Sequence, residues 1–206
     1  MAKCKCEWCN EEALVKEGKG AGYCGRHSQQ IYLKGECYHT RFDPHYFTIE
    51  GDIAYMPLYY QDGTLKATVI IDAEDVERVR QYKWNKQNKG NHVEAYVDKK
   101  VTQLHRFIMN ETDSNVLIDH INRNPLDNRK CNLRRCNKQQ NCCNRKTHKQ
   151  NKTGHKNITI RNGKYGVHIY KNGKQHYIGS YVELEDAIKA RNEALEKLHG
   201  KFASRG

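Results

Sequence analysis

The residues best suited to chemistry form a short ordered series: Asp119-His120 at the end of the apolar run Val116-Leu117-Ile118, then Asn132, then Asn141. Hydrolysis of a phosphodiester needs a base for the attacking water, and positive charge to balance the phosphorane and the leaving oxygen. A neutral imidazole near pH 7 suits the first task. A hard divalent cation suits the second, and such ions take oxygen ligands, including Asp carboxylates and Asn carbonyls. Two protein oxygens leave positions for phosphate oxygens and water. That donor set matches magnesium or manganese and argues against a dedicated zinc cage. Consecutive strand residues point to opposite sides, so Asp119 can face the ion while His120 faces the water. Taken singly, an Asp-His pair at a strand end is more often a solvated turn; the weight lies in the ordered conjunction and its surroundings.

Those surroundings are cationic. From Asn128 to Val182 the chain carries fourteen Lys and Arg and no Asp or Glu. The whole protein has a formal net charge of only +12, so the remainder is slightly acidic. A cation field beside an Asp-His pair points to a protein that holds a polyanion and acts on it.

The elements that must position the series are legible locally. Asp119-His120 ends an apolar strand. A loop follows over Asn122-Arg123-Asn124-Pro125-Leu126-Asp127-Asn128, then a second short strand near Asn132–Arg135. Asn137 has Gln140 three residues on, the pattern of an N-cap with a capping box, and opens a helix that carries Asn141. Strand, loop, strand and helix thus gather Asp119, His120, Asn132 and Asn141.

Asp119-His120-Ile121-Asn122, Asp127-Asn128-Arg129, Asn132-Leu133-Arg134 and Gln140-Asn141 resemble the motif of His-Asn-His nucleases with the ββα-metal fold. The similarity is strongest to the phage and group I intron homing branch, whose third motif position is Asn. It covers about residues 104–145, beginning at Leu104-His105-Arg106. The resemblance implies that His120 is the general base and that Asp119 and Asn141 bind the catalytic metal. It also implies that Asn132 orients His120 and braces the loop, and that the products carry 5′-phosphate and 3′-hydroxyl ends. His105, Arg106 and Arg134 are candidate DNA contacts. Arg123 departs from the pattern, where family members often have Gly.

At the N-terminus, Cys6-x2-Cys9 and Cys24-x2-His27 are two ligand pairs of the kind a tetrahedral zinc site uses, and such a zinc would be structural. The glycine-rich loop between them, Glu17 to Gly22, would gain most from a metal clip. Cys4 and Cys37 are spare, and either could replace one of the four. Free thiols are the plainer alternative. Cys131, Cys136, Cys142 and Cys143 lack paired CxxC spacing and read better as buried thiols than as a second zinc site.

Residues 45–104 read mostly as strands, divided by Gly51-Asp52 and Asp62-Gly63 turn signals. Asp72 is expected to cap a short helix over Ala73–Tyr82. Trp84 and Tyr96 are expected in the core. Farther on, Asn162-Gly163 and Asn172-Gly173 predict two type I′ hairpins joining strands Asn157–Arg161, Lys164–Tyr170 and Lys174–Val182. A helix over Leu184–His199 carries an apolar stripe of Leu184, Ala187, Ile188, Ala194, Leu195 and Leu198. All five acids after residue 151 lie from Glu183 onward, so the sheet is purely basic and its uncovered face could enter a DNA major groove. This last module resembles the plant Apetala/ethylene-response-factor DNA-binding domain. The resemblance makes Arg161, Lys164, His168, Lys171 and Lys174 candidate DNA contacts, although the family often has Trp near Tyr165.

With 37% hydrophobic and 29% charged residues, several small modules fit better than one large core. No apolar run is long enough to span a membrane. Met1-Ala2-Lys3-Cys4-Lys5-Cys6 has no apolar signal core, which predicts an intracellular, reducing location where cysteines serve as metal ligands or thiols. The expected architecture is α+β in four modules: a zinc-binding segment (1–40), a β-rich region (41–103), a ββα-metal nuclease core (104–150) and a sheet-plus-helix DNA reader (151–206). The expected activity is magnesium- or manganese-dependent endonucleolytic hydrolysis of double-stranded DNA, by a monomer or homodimer, at a chosen site. The alternatives are a DNA-binding regulator that no longer cuts and, less well supported, a zinc-dependent RNA-binding module. The first should have lost the base or a ligand, yet all are kept. The second should carry more aromatic stacking platforms.

Overall fold

The computed structural model describes residues 23–88, 90–143 and 151–200. The chain is mixed α and β, with several small antiparallel sheets and few helices. It divides into two units, Met1–Asn110 with Pro125–Lys130, and Glu111–Asn124 with Cys131–Gly206.

In the first unit, helix α1 (Gly25–Lys34) precedes a three-stranded sheet of β1 (Thr48–Glu50), β2 (Ile53–Tyr59) and β3 (Leu65–Asp72) in that order. Alternation buries Ala54, Met56 and Leu58 from β2 and Val69 and Ile71 from β3. Gly63, in the β2–β3 turn, has φ +87°, and a Cβ there would sit 2.2 Å from the Tyr38 ring, so only glycine fits. A second sheet of β4 (Asn85–Lys86), β5 (Val93–Val97) and β6 (Lys100–Gln103) buries Val93, Ala95 and Val97 and leads into α3 (Leu104–Ile108). Trp84 is fully packed, with its ring centroid 5.3 Å from that of Phe107 and its Nε1–H donating to Val79 O at 2.7 Å.

Two expectations in this unit are corrected. Tyr96 is 68% exposed, because β5 alternation turns it away from Val93, Ala95 and Val97. The single helix expected over Ala73–Tyr82 is a 3-10 turn (Ala73–Asp75) followed by α2 (Val76–Val79). Asp72 makes no side-chain cap there, and its carboxylate instead accepts the Lys130 N–H at 2.7 Å.

His45 gives this unit a pH dependence. Burial, and then the Lys83 charge, lower its pKa to about 4. The Trp84 N–H donates to its Nε2 at 2.9 Å, which requires a lone pair there. The folded state therefore binds fewer protons than the unfolded state between pH about 4 and about 6.5. The contribution is complete above the unfolded value and is lost as pH falls through this window. A melting series across it should show a smaller acid loss for His45→Gln than for the wild type; equal slopes would remove His45 as the cause.

In the second unit, β7 (Leu117–His120) pairs antiparallel with β8 (Leu133–Cys136), and α4 (Lys138–Cys143) packs on both. Its start is the expected capping box: Gln140 N–H donates to Asn137 Oδ1, and Asn137 N–H donates to Gln140 Oε1, both at 2.9 Å. Cys136 is buried, and burial, then the neighbouring Asp119, push its thiol up to about 11, so it stays protonated. Cys131 is exposed rather than buried as expected, because it sits in the 3-10 turn (Lys130–Asn132) before β8. The side chains of Cys142 and Cys143 lie outside the described residues.

The C-terminal elements of this unit are β9 (Ile158–Arg161), β10 (Lys164–Lys171), β11 (Lys174–Tyr181) and α5 (Leu184–His199). Both Asn-Gly pairs have positive φ at each residue, as type I′ turns require. Ile158, Val167 and Ile169 pack against Ala187, Ala194 and Leu195 of α5, with Leu184, Ile188 and Leu198 half-buried around them. Arg191 is also buried on that stripe, where it donates to Asn192 Oδ1 and to Lys156 O. Among the described residues, no helix is long and apolar enough to cross a membrane.

Candidate active site

Asp119 and His120 close β7, and the pairing register sets Arg134 opposite Asp119 and Leu133 opposite His120. Both are buried. The Arg134 guanidinium donates to Asp119 Oδ2 from Nε at 2.9 Å and from Nη2 at 2.7 Å. Sequence reasoning offered Arg134 as a DNA contact. Its cross-strand partnership was missed because it depends on strand register, and only the antiparallel pairing of β7 with β8 reveals it.

Asn132 ties the segment after His120 to the foot of β8. Its backbone O accepts the Ile121 N–H at 2.9 Å, and its Oδ1 accepts the Asn122 N–H at 2.9 Å. Its Nδ2 donates to Asn122 Oδ1 at 3.0 Å. Asn132 therefore braces the loop at two successive residues beyond His120. Arg123 occupies φ +62°, the left-handed region that favours glycine, and its N–H donates to His120 O at 2.9 Å. The conformation explains why glycine suits this position and what the arginine costs locally. Asn141 is half-buried in α4, and its N–H donates to Asn137 O at 3.0 Å. Asp119 and His120 thus lie on β7, Asn132 in the turn before β8 and Asn141 on α4, which packs on both strands.

Asp119 and Asn141 offer oxygen donors, and Asp119 is a buried carboxylate whose present charge partner, Arg134, is itself a cation.

Other parts of the motif lie in the first unit. Asp127 accepts from Arg129 Nε and Nη2, each at 2.8 Å, while the Asn128 N–H donates to Ile70 O and the Ile70 N–H to Leu126 O. These residues anchor the loop to β3. His105 is buried on α3 with its ring centroid 5.4 Å from that of His92, and Arg106 neighbours it on the same helix. The carboxylates of Asp72, Glu74 and Asp75 also lie close together, but Lys130 already engages them, with Nζ 2.5 Å from Glu74 and 3.0 Å from Asp75.

Of the four expected zinc ligands, Cys24 and His27 are described, and Cys6 and Cys9 lie outside the described residues. Cys24 Sγ stands 3.4 Å from His27 Nδ1, and both residues are buried.

On the C-terminal sheet, register places Arg161, Lys164, His168 and Tyr170 on the face away from α5, with Gln175 and Tyr177 across from Tyr170 and His168. The His168 and Tyr177 ring centroids are 5.2 Å apart. Sequence reasoning missed Tyr177, although its alternation parity relative to the second Asn-Gly turn could have found it. Lys171 shares the parity of Val167 and Ile169, and it is a cause, after burial, of the lowered pKa of His199 at the end of α5. It therefore sits toward the helix side. Lys174 pairs with it at the hairpin mouth.

The chain is 34% identical over 164 residues to an uncharacterized HNH endonuclease of Acanthamoeba polyphaga mimivirus, a span of 77% of this chain and 83% of that protein. The chain belongs to the HNH endonuclease family. No protein-family model matches it, and no solved structure does either.

Proposed function

We propose that the protein is a metal-dependent DNA endonuclease of the site-specific homing or phage type, with the ββα unit as its cutting centre. The observation that supports this reading is the β7–β8–α4 arrangement, with Asp119 and His120 at the end of β7, Asn132 in the turn before β8 and Asn141 on α4. His120 takes a proton from water, the water oxygen attacks phosphorus, and the bond to the 3′ oxygen breaks; that oxygen takes a proton from solvent water, leaving a 5′-phosphate and a 3′-hydroxyl. Asn132 holds the loop so that the His120 backbone is fixed at the end of β7. Asp119 and Asn141 would hold magnesium or manganese. The ion, when bound, supplies Lewis-acid stabilisation of the phosphorane and the leaving oxygen. A zinc at Cys6, Cys9, Cys24 and His27 would be structural.

The sheet of β9 to β11, similar to the Apetala/ethylene-response-factor module, would dock on double-stranded DNA through Arg161, Lys164 and His168, with Lys171 and Lys174 at its rim. Supporting this is the absence of any acid in β9, β10 or β11. Binding should therefore weaken steeply with salt, with a log–log slope near −0.9 for each phosphate neutralised. Fluorescence anisotropy across a salt series should show Arg161→Ala and Lys164→Ala each flattening that slope by about 1. Unchanged slopes would remove this face from docking.

Supercoiled plasmid incubated with magnesium tests the activity. Nicked or linear product that chelation prevents supports the reading, and intact plasmid at high enzyme concentration contradicts it.

A further inference from the structure

The first unit holds a cleft of ≈ 330 Å³, lined by the segment after α1, by the end of β2 and by the residues around Trp84. Three rings of its lining pack together. His39 and Tyr46 have centroids 4.7 Å apart and His39 and Tyr59 5.9 Å apart, with interplanar angles of 36° and 20°. The Tyr46 and Tyr59 hydroxyls share a hydrogen bond at 2.6 Å. Burial, then that bond, pushes the Tyr59 hydroxyl up to about 12, and burial lowers the pKa of His39, so neither ring is charged at pH 7. Tyr46 is 40% exposed, and Phe42, also in the lining, is 42% exposed. Two aromatic side chains of a concave wall thus remain in contact with water.

The same wall is cationic. Arg41 and Lys83 line the cleft, and the only acid among its described lining residues is Asp43. Asp43 is buried, and its carboxylate is engaged by its own donors: Oδ1 accepts Arg26 Nη2 at 2.7 Å, and Oδ2 accepts the Thr40 N–H and hydroxyl, each at 2.8 Å. The Arg41 guanidinium lies 4.8 Å from the Phe42 ring centroid. Burial, and then the charges of Lys86 and Arg41, lower the pKa of Lys66, whose Nζ donates to Asn85 Oδ1 of the lining at 3.0 Å. Glu94, opposite Asn85 across β4 and β5, accepts from Gln87. Cations therefore crowd one another where the exposed rings lie, an arrangement that an anion would relieve.

A nucleotide has both complements, a flat π face and a phosphate anion. In a duplex each base is covered by its neighbours, so an aromatic platform is open only to an unpaired base. The cleft is near the lower end of the range for ligand pockets, about 300–1,000 Å³, which suits one nucleotide rather than a run of them. We propose that this cleft binds one unpaired nucleotide of single-stranded DNA, with its base on the Phe42 and Tyr46 rings and its phosphate against Arg41 and Lys83. The choice of DNA over RNA rests on the nuclease reading above; the rings and the cations do not. The cleft is then a second nucleic-acid contact, selective for unpaired strand, in addition to duplex docking on β9 to β11.

The test uses the full chain without divalent metal and reads fluorescence anisotropy with two probes, a labelled oligothymidine strand and a labelled duplex. Tyr46→Ala and Phe42→Ala should each weaken single-strand binding about 5- to 100-fold and leave duplex binding unchanged. Tyr46→Phe, which keeps the ring and drops the hydroxyl, should bind as the wild type does. Arg41→Ala should flatten the single-strand salt dependence by about 0.7 in log–log slope. Ultraviolet cross-linking of a bromodeoxyuridine strand should tag the peptide that holds Phe42 and Tyr46. Phe42→Ala, which truncates an exposed ring, gives the answer should Tyr46→Ala fail to fold. Wild-type single-strand affinity in folded Phe42→Ala, or an equal loss for duplex in these variants, overturns the proposal. Tighter binding of oligouridine than of oligothymidine overturns DNA as the ligand. Selective single-strand binding that Phe42→Ala removes, in a chain that cuts no plasmid, supports the cleft while the nuclease reading falls.

Discussion

Replacing His120 with alanine should lower plasmid nicking in magnesium by about 10²- to 10⁴-fold, the usual contribution of a positioned general base. Duplex binding should be unchanged. The separation follows from where the groups lie. His120 is a buried side chain at the end of β7, whereas the cations Arg161 and Lys164 sit on a different sheet. Loss of the imidazole removes the proton acceptor for water but none of the phosphate-neutralising charge. Nicking time courses and anisotropy on the same preparation measure both quantities. Cutting by His120→Ala at the wild-type rate would take His120 out of the mechanism. Loss of binding in parallel with cutting would mean that the substitution had acted on the fold.

Asp119→Ala should do more than disable the site. Asp119 and Arg134 form a largely buried pair, with side chains 7% and 15% exposed and a 2.7 Å contact. Removing one partner of such a pair leaves an uncompensated charge and costs about 3–5 kcal/mol. Chemical denaturation should therefore show Asp119→Ala destabilised by roughly that amount, and cutting in magnesium or manganese should vanish. Asp119→Asn keeps an acceptor for Arg134 and should lose less stability, yet weaken the metal response just as severely. Adding Arg134→Leu to Asp119→Ala should restore stability without restoring activity, because it removes the stranded charge and not the missing ligand. An Asp119→Asn protein with a wild-type manganese response would show that Asp119 is not a metal ligand.

These two expectations draw on different kinds of information, and the sequence was unequal between them. Features encoded within a few residues were legible. The Asn162-Gly163 and Asn172-Gly173 turns, the Asn137–Gln140 capping box and the α5 stripe each depend on local backbone preference or helical period, and each forms where it was expected. Helix α1 escaped notice because its buried residues are His27 and Gln30 rather than an apolar stripe. Tyr96 was misplaced because an aromatic in a strand reads as core until the parity of β5 is known. The pairing of Asp119 with Arg134, the bond from Asn128 to Ile70, and the approach of Asp43 to His27 all join residues whose proximity is set by strand register or chain return. Residue types alone could nominate Asp119, His120, Asn132 and Asn141. They could not show that Asp119 already has a cation beside it.

A bound divalent ion would compete with Arg134 for the Asp119 carboxylate. In the proposed mechanism the Asp119 carboxylate and the Asn141 amide oxygen would share one divalent ion beside His120. Diffraction from manganese-soaked crystals, with data collected at the manganese edge, locates that ion directly. An anomalous peak is expected within about 2.0–2.3 Å of an oxygen of each residue, close to octahedral oxygen-ligand distances. A peak held by other side chains, or none at Asp119 and Asn141 at saturating manganese, would contradict that mechanism.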